Sequence, residues 1–209
     1  MSSLYKKIIA VAVSCLAVFA IYYGSYLPYK KSSVFIKTMR DLNNSPSLDE
    51  FKKNISAPLD LTSPIGQEEL VRQIASLVSS VINQPNANQT VINDLVSYVN
   101  RYFDPIIARG VGMSFGQDLY LLGSMNEIAF VKTNQLKYLE AAKKYYEIGR
   151  ELGPKRPQVL FGLFDVYRME GKVEQVKAVG EQILAQWPDE ERTRQALADF
   201  LSRSLTKNK

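Results

Sequence analysis

Paired carboxylates are the first groups in this chain to weigh for chemistry. They cluster as Asp49-Glu50, Glu68-Glu69 and Asp189-Glu190-Glu191, and any of these could be read as a catalytic dyad. Each cluster falls in the first turn of an expected helix, where negative charge offsets the helix dipole, and that placement accounts for all three without chemistry. The chain has no histidine, which removes Ser-His and Cys-His nucleophile pairs and the commonest metal ligand. Its one cysteine, Cys15, lies in an apolar run, so neither an intramolecular disulfide nor a thiolate zinc site can form. The glycines of Gly110-Val111-Gly112-Met113-Ser114-Phe115-Gly116 suggest a phosphate loop, but the preceding strand and the closing Lys-Ser/Thr are missing. The segment reads as an inter-helix connection. Asn88-Gln89-Thr90 matches a glycosylation acceptor by chance. No catalytic constellation, cofactor or metal site is expected, and the chain is read as a non-enzyme.

The 209 residues suffice for one or two domains. Hydrophobic content of 46% and charged content of 22% are ordinary for a globular protein. The net charge is +5, and Lys6 and Lys7 supply two of those charges. The remainder is too small and too scattered for a nucleic-acid footprint, although weak attraction to anionic headgroups stays open.

Residues 8–29 carry no charge, a run of 22 positions. At about 1.5 Å per residue, roughly 20 helical residues span a hydrocarbon core of about 30 Å. Lys6 and Lys7 flank the run on one side, and Lys30 and Lys31 on the other. Tyr22, Tyr23, Tyr26 and Tyr29 crowd one end like an aromatic belt, and Pro28 is expected to end the helix there. The main reading is an uncleaved transmembrane helix contacting the bilayer. A cleaved signal peptide fits less well, because bulky tyrosines surround Gly24 and Ser25. Lipidation at Cys15 has only a weak match in Ala12-Val13-Ser14. Orientation is open. A signal-anchor would keep Lys6 and Lys7 in the cytosol, whereas Lys30, Lys31, Lys37 and Arg40 outnumber them and favour a cytoplasmic helical domain.

Beyond residue 30 the apolar spacing is helical almost throughout. Val34, Phe35, Thr38, Met39 and Leu42 share a face, and Asn43-Asn44-Ser45-Pro46 is a turn. Ser47 with Glu50 forms a capping box for a helix that Pro58 stops. Ser63-Pro64 starts the next helix. Residues 83–89 form a polar linker, Thr90 caps a further helix, and Asp104-Pro105 is another capped start. One helix is expected near residues 117–132, and Asn134 starts the next, which ends at Gly153-Pro154. Residues 157–169 and 172–186 make the clearest hairpin, joined at Gly171, and residues 190–204 make a last helix with a frayed tail from Thr206. The polar Glu191, Arg192, Arg194 and Gln195 suit a terminal cap.

Pro154 and Pro188 stand 34 residues apart, and each closes a helical hairpin. Between them come Leu160, Leu163, Tyr167, Gly171, Val176 and Ile183. The preceding unit shares Ala142 and Tyr146 in the same register, with Asn126 where a large apolar residue would stand. This pattern resembles a tetratricopeptide repeat. Phe164 departs from that family's glycine, Gly180 from its aromatic residue and Ile183 from its alanine. The resemblance implies an all-α solenoid of antiparallel hairpins, in which the first helices line a concave groove. Gln158, Phe161, Asp165 and Arg168 would then face a protein or peptide partner. The basic-and-Asn clamp of some such domains is not visible, since Phe161 and Asp165 occupy the places where it would begin.

A wider resemblance rests on Thr62-Ser63-Pro64-Ile65-Gly66-Gln67-Glu68-Glu69-Leu70-Val71-Arg72-Gln73-Ile74 and Leu152-Gly153-Pro154-Lys155-Arg156-Pro157-Gln158-Val159-Leu160. With the membrane segment before them, these are similar to the carboxyl-terminal region of O-antigen ligase-like or polymerase-like membrane proteins of uncultured candidate-phylum bacteria. That resemblance implies association with surface-polysaccharide assembly and a multispanning glycan-assembly partner. The family's catalytic module has no counterpart in this sequence. The expected organisation is a basic flank (1–7), a membrane helix (8–29), divergent hairpins (30–116), tetratricopeptide-like repeats (117–188), and a capping helix with tail (189–209). The function expected is a membrane-anchored adaptor in envelope assembly. The alternatives are a tail or subunit of a glycan ligase or polymerase, and a tether in secretion or pilus assembly.

Overall fold

The computed structural model describes residues 3–41, 47–112 and 114–207. Among them the fold is all-helical, with no strand. The chain divides into two compact units, Met1–Ile74 and Ala75–Lys209.

In the first unit, Ser3–Ile21 (α1), a π-helical turn Tyr22–Tyr26 and Leu27–Asp41 (α2) follow one another without a break. The stretch Leu4–Asp41 is the one helical run among the described residues long and apolar enough to cross a membrane, although a signal sequence meets the same criteria. None of its most apolar window is buried. Pro28 does not end the helix as expected. Proline lacks the donor an α-helix needs and crowds the carbonyl four residues back. The chain switches spacing just before it, with Leu27 N–H bonded to the Tyr22 carbonyl five residues back.

The carboxyl flank of the apolar run is partly built into the fold. Lys31 is only 2% exposed. Its Nζ donates to the Leu61 carbonyl at 2.7 Å and also to Gln67 Oε1. Leu48–Leu59 (α3) packs on α2, where Thr38 Oγ1 donates to the Asn54 carbonyl at 3.3 Å. Ser47 caps α3 as expected, accepting from Glu50 N–H at 3.2 Å, with Pro58 in the last turn. The expected turn 43–46 lies outside the described residues. Gln67–Ile82 (α4) starts later than Ser63-Pro64. Ser63 Oγ instead bonds both the carbonyl (2.8 Å) and the N–H (3.4 Å) of Ile65, and Gly66 adopts φ 88° before the helix begins.

In the second unit, Gln89–Arg109 (α5) is capped by Asn88, one residue outside the helix, and not by Thr90. Asn88 Oδ1 accepts from Val91 N–H at 2.9 Å. The expected start at Asp104-Pro105 does not occur, because α5 runs straight through Pro105 to a left-handed Gly110. Phe103 and Ile106 flank that proline and are both buried, and their burial outweighs one lost backbone bond. Met113, in the glycine-rich segment, lies outside the described residues.

Phe115–Thr133 (α6) begins two residues before the expected boundary. Asn134 terminates α6 at φ 54° rather than starting the next helix. Leu136–Leu152 (α7), Pro157–Glu170 (α8), Val173–Gln186 (α9) and Glu191–Lys207 (α10) follow. Gly171 takes φ 71° between α8 and α9, as the turn requires. Of the last acidic run, only Glu191 lies in a first helical turn; Asp189 and Glu190 sit in the connection before α10.

From α5 to α10 each helix packs on the next, and α6 also touches α8. The core of the hairpins includes Ala142, Tyr146, Leu160, Leu163, Tyr167, Val176 and Ile183, all buried. Leu197 of α10 joins it, with Ala196, Phe200 and Leu201 packed against its edge. Asn126 is buried at its odd position, where its Nδ2 donates to the Leu122 carbonyl at 2.8 Å. That bond to the carbonyl four residues back gives the buried amide a partner within its own helix.

Candidate functional site

The side chain that organises this region is Tyr146. It projects from α7 into the junction of α6 and α8, where Gly123 and Gly162 leave room for its ring. A methyl group on either glycine would stand 2.4 Å from a ring carbon. Two large residues there would hold the helices apart. Two glycines let the backbones of α6 and α8 close on one flat aromatic. The Tyr146 hydroxyl donates to Glu127 Oε2 at 2.9 Å.

Glu127 is therefore fixed at the edge of a cavity of about 550 Å³ between α6 and α8. α6 contributes Tyr120, Ser124, Glu127, Ile128 and Val131. α8 contributes Pro157, Gln158, Phe161, Gly162 and Asp165. Burial pushes the Glu127 carboxyl up to about 7. The hydrogen bond from Tyr146 pulls the other way, and the negative charge of Asp165 adds to the rise. The Tyr146 hydroxyl is pushed upward by burial and by the neighbouring Glu127. It stays protonated as a donor.

Three of the four groove residues expected from sequence meet at this cavity: Gln158, Phe161 and Asp165. Gln158 is exposed, whereas Phe161 and Asp165 are half-buried. Arg168 does not line it. It lies one turn further along α8, in an adjoining depression of about 340 Å³ shared with Glu190, Arg192, Thr193 and Ala196. There it pairs with Asp165 Oδ1 at 2.9 Å. Phe161 lines both hollows and stacks on Trp187, with ring centroids 6.0 Å apart. No protein-family model, curated protein or solved structure matches this chain.

The carbonyls of the two closing prolines are both bonded by side chains, but of differently placed helices. The Pro154 carbonyl accepts from Gln182 Nε2 of α9 at 2.8 Å, and the Pro188 carbonyl accepts from Arg194 of α10. Tyr167 OH donates to Glu147 at 3.1 Å, and burial with that carboxylate pushes it up to about 12. Lys143 and Glu170 close the α7–α8 contact at 2.5 Å. Among the described residues, no group of three or more His, Cys, Asp or Glu side chains could hold a metal ion.

Glu127 was not identified from sequence. Its one signal is that it is the only charge between Asp118 and Lys132 in an otherwise helical apolar run. The pairing of Gly123 and Gly162 around Tyr146 left no such signal, because it joins three helices.

Proposed function

We propose that this chain is a single-pass membrane protein whose helical hairpins form a tetratricopeptide-like groove that docks a segment of a protein partner. The observation that supports this is the cavity built by α6 and α8, the first helices of two successive hairpins, with Phe161 and Asp165 on its wall. In a helical repeat, the first helices of neighbouring hairpins stand side by side and line the concave face. The direct contact of α6 with α8 has that arrangement. The apolar helix, exposed along its length, supplies the tether. Tethering would raise the local concentration of the groove near other membrane proteins. On this reading the chain binds and does not catalyse. A setting in envelope polysaccharide assembly rests on the likeness of residues 62–74 and 152–160 to ligase-like proteins, which also makes a multispanning glycan-assembly protein the first partner to look for.

Photo-cross-linking of the full-length protein in its native membrane tests the groove. A benzophenone side chain at Phe161 should give discrete protein adducts, and the same group at the exposed Glu174 on α9 should give none. Equal adducts at both positions, or none at Phe161, would refute the reading.

A further inference from the structure

The cavity between α6 and α8 has a charge character that the groove reading alone does not use. Glu127 stands at one side and Asp165 at the other, and no lysine or arginine is among its lining residues. The nearest guanidinium, Arg168, is drawn to Asp165 from the adjoining depression. Tyr120 and Phe161 bring aromatic surfaces to the same space, and Ile128 and Val131 add an apolar strip. A carboxylate rim, two aromatic faces and an apolar strip match the parts of a long basic side chain. The ammonium or guanidinium head suits the carboxylates and rings, and the alkyl stem suits the strip.

We infer that this cavity receives a lysine or arginine side chain of the docked segment, with Glu127 and Asp165 as its acidic partners and Tyr120 and Phe161 as its aromatic walls. The inference rests on the groove reading and names what the groove selects. Tyr146 is a positioning residue here. Its hydroxyl holds one Glu127 oxygen at 2.9 Å and so fixes the direction of the carboxylate. A half-buried acid that resists ionisation when the cavity is empty would release its proton as a cation enters.

Trp187 is the chain's single tryptophan, and it stacks on Phe161. Its fluorescence therefore reports on the cavity. Blocked tripeptides with lysine, arginine, norleucine or glutamate between two alanines are titrated into the full-length protein in lipid nanodiscs. The lysine and arginine peptides should shift Trp187 emission saturably, and the norleucine peptide should bind at least tenfold more weakly. Glu127→Gln keeps an acceptor for Tyr146 and should weaken lysine-peptide binding about tenfold, a change of about 1.4 kcal/mol. Asp165→Asn should act in the same direction, with the norleucine affinity unchanged in both variants. Equal binding of the norleucine and lysine peptides would overturn the inference and leave the groove standing. Preference for the glutamate peptide, or silence from all four, would overturn it as well. The fate of the groove itself is read separately from the Phe161 cross-links.

Discussion

The two hairpins of the second unit, α6–α7 and α8–α9, end 34 residues apart, at Leu152 and Gln186, yet they fill the space near those ends in opposite ways. In the first, Tyr146 on the second helix is the large partner, and Gly123 and Gly162 make room for it. In the second, the position 34 residues on is Gly180, and the bulk comes from the facing helix α8 and from α10. A methyl group there would lie 3.0 Å from Leu197 and 3.1 Å from Phe164. Phe164 is itself the residue that replaces an expected glycine. Phe164 thus occupies room that an aromatic at position 180 would claim. What carries across the hairpins is the sum of volumes at a junction, not the residue at a position.

The largest test of that contrast is Tyr146→Ala. It should lower stability by about 3–5 kcal/mol, measured by denaturant titration of the full-length protein in detergent with Trp187 as the probe. A loss below about 1 kcal/mol would mean that the junction can collapse and that the ring is not its organiser.

Next in size is a pH effect confined to the first hairpin. Glu127 faces Tyr120 on its own helix, Tyr146 on α7 and Asp165 on α8. The folded protein keeps the Glu127 proton up to about 7, whereas an ordinary carboxyl releases it near 4.5. Across that window the folded state binds more protons than the unfolded state, so stability falls as pH rises. The loss amounts to at most about 3 kcal/mol. Glu127→Gln should flatten the slope, and an unchanged slope would place its origin elsewhere.

The finest test compares two alanines. Gly162→Ala drives a methyl group to 2.4 Å from the Tyr146 ring and should cost about 2 kcal/mol. Gly180→Ala meets only side-chain tips that can give by a few tenths of an ångström. The roughly 1 kcal/mol that alanine gains over glycine in a helix should bring it to within about 0.5 kcal/mol of neutral. Similar losses for the two would erase the distinction between the hairpins.

Much of the second unit was legible in the sequence wherever its signals were local. Pro157, Gly171 and Pro188 mark ends that depend on one backbone bond or one left-handed turn, and the structure places α8 and α9 within a residue of expectation. The errors come from reading the same local signals where distant contacts outweigh them. Pro105 is carried inside α5 by the burial of Phe103 and Ile106. Pro28 is carried by a change of helical spacing. Asn134 is equally at home ending a helix or starting one, and only the packed neighbour decides. The site divides along the same line. Gln158, Phe161 and Asp165 follow three and four residues apart, so helical periodicity alone puts them on one face. Glu127 reaches them only because two glycines and a tyrosine on three helices fit together. No spacing within one helix encodes that meeting.

The π-helical turn at Tyr22–Tyr26 works as a phase shifter. One residue more than an α-helix needs turns everything beyond it by about 100° around the axis. The side of α2 that carries the buried Lys31 and Thr38 is therefore turned by about 100° from where an unbroken α-helix would put it. Deleting Gly24 would restore the ordinary pitch and leave the apolar helix almost as long as before. It would also turn the side chains of α1 by about 100° relative to those of α2. Composition could then stay intact while alignment is lost, which makes this short stretch a place where a one-residue change acts as a rotation.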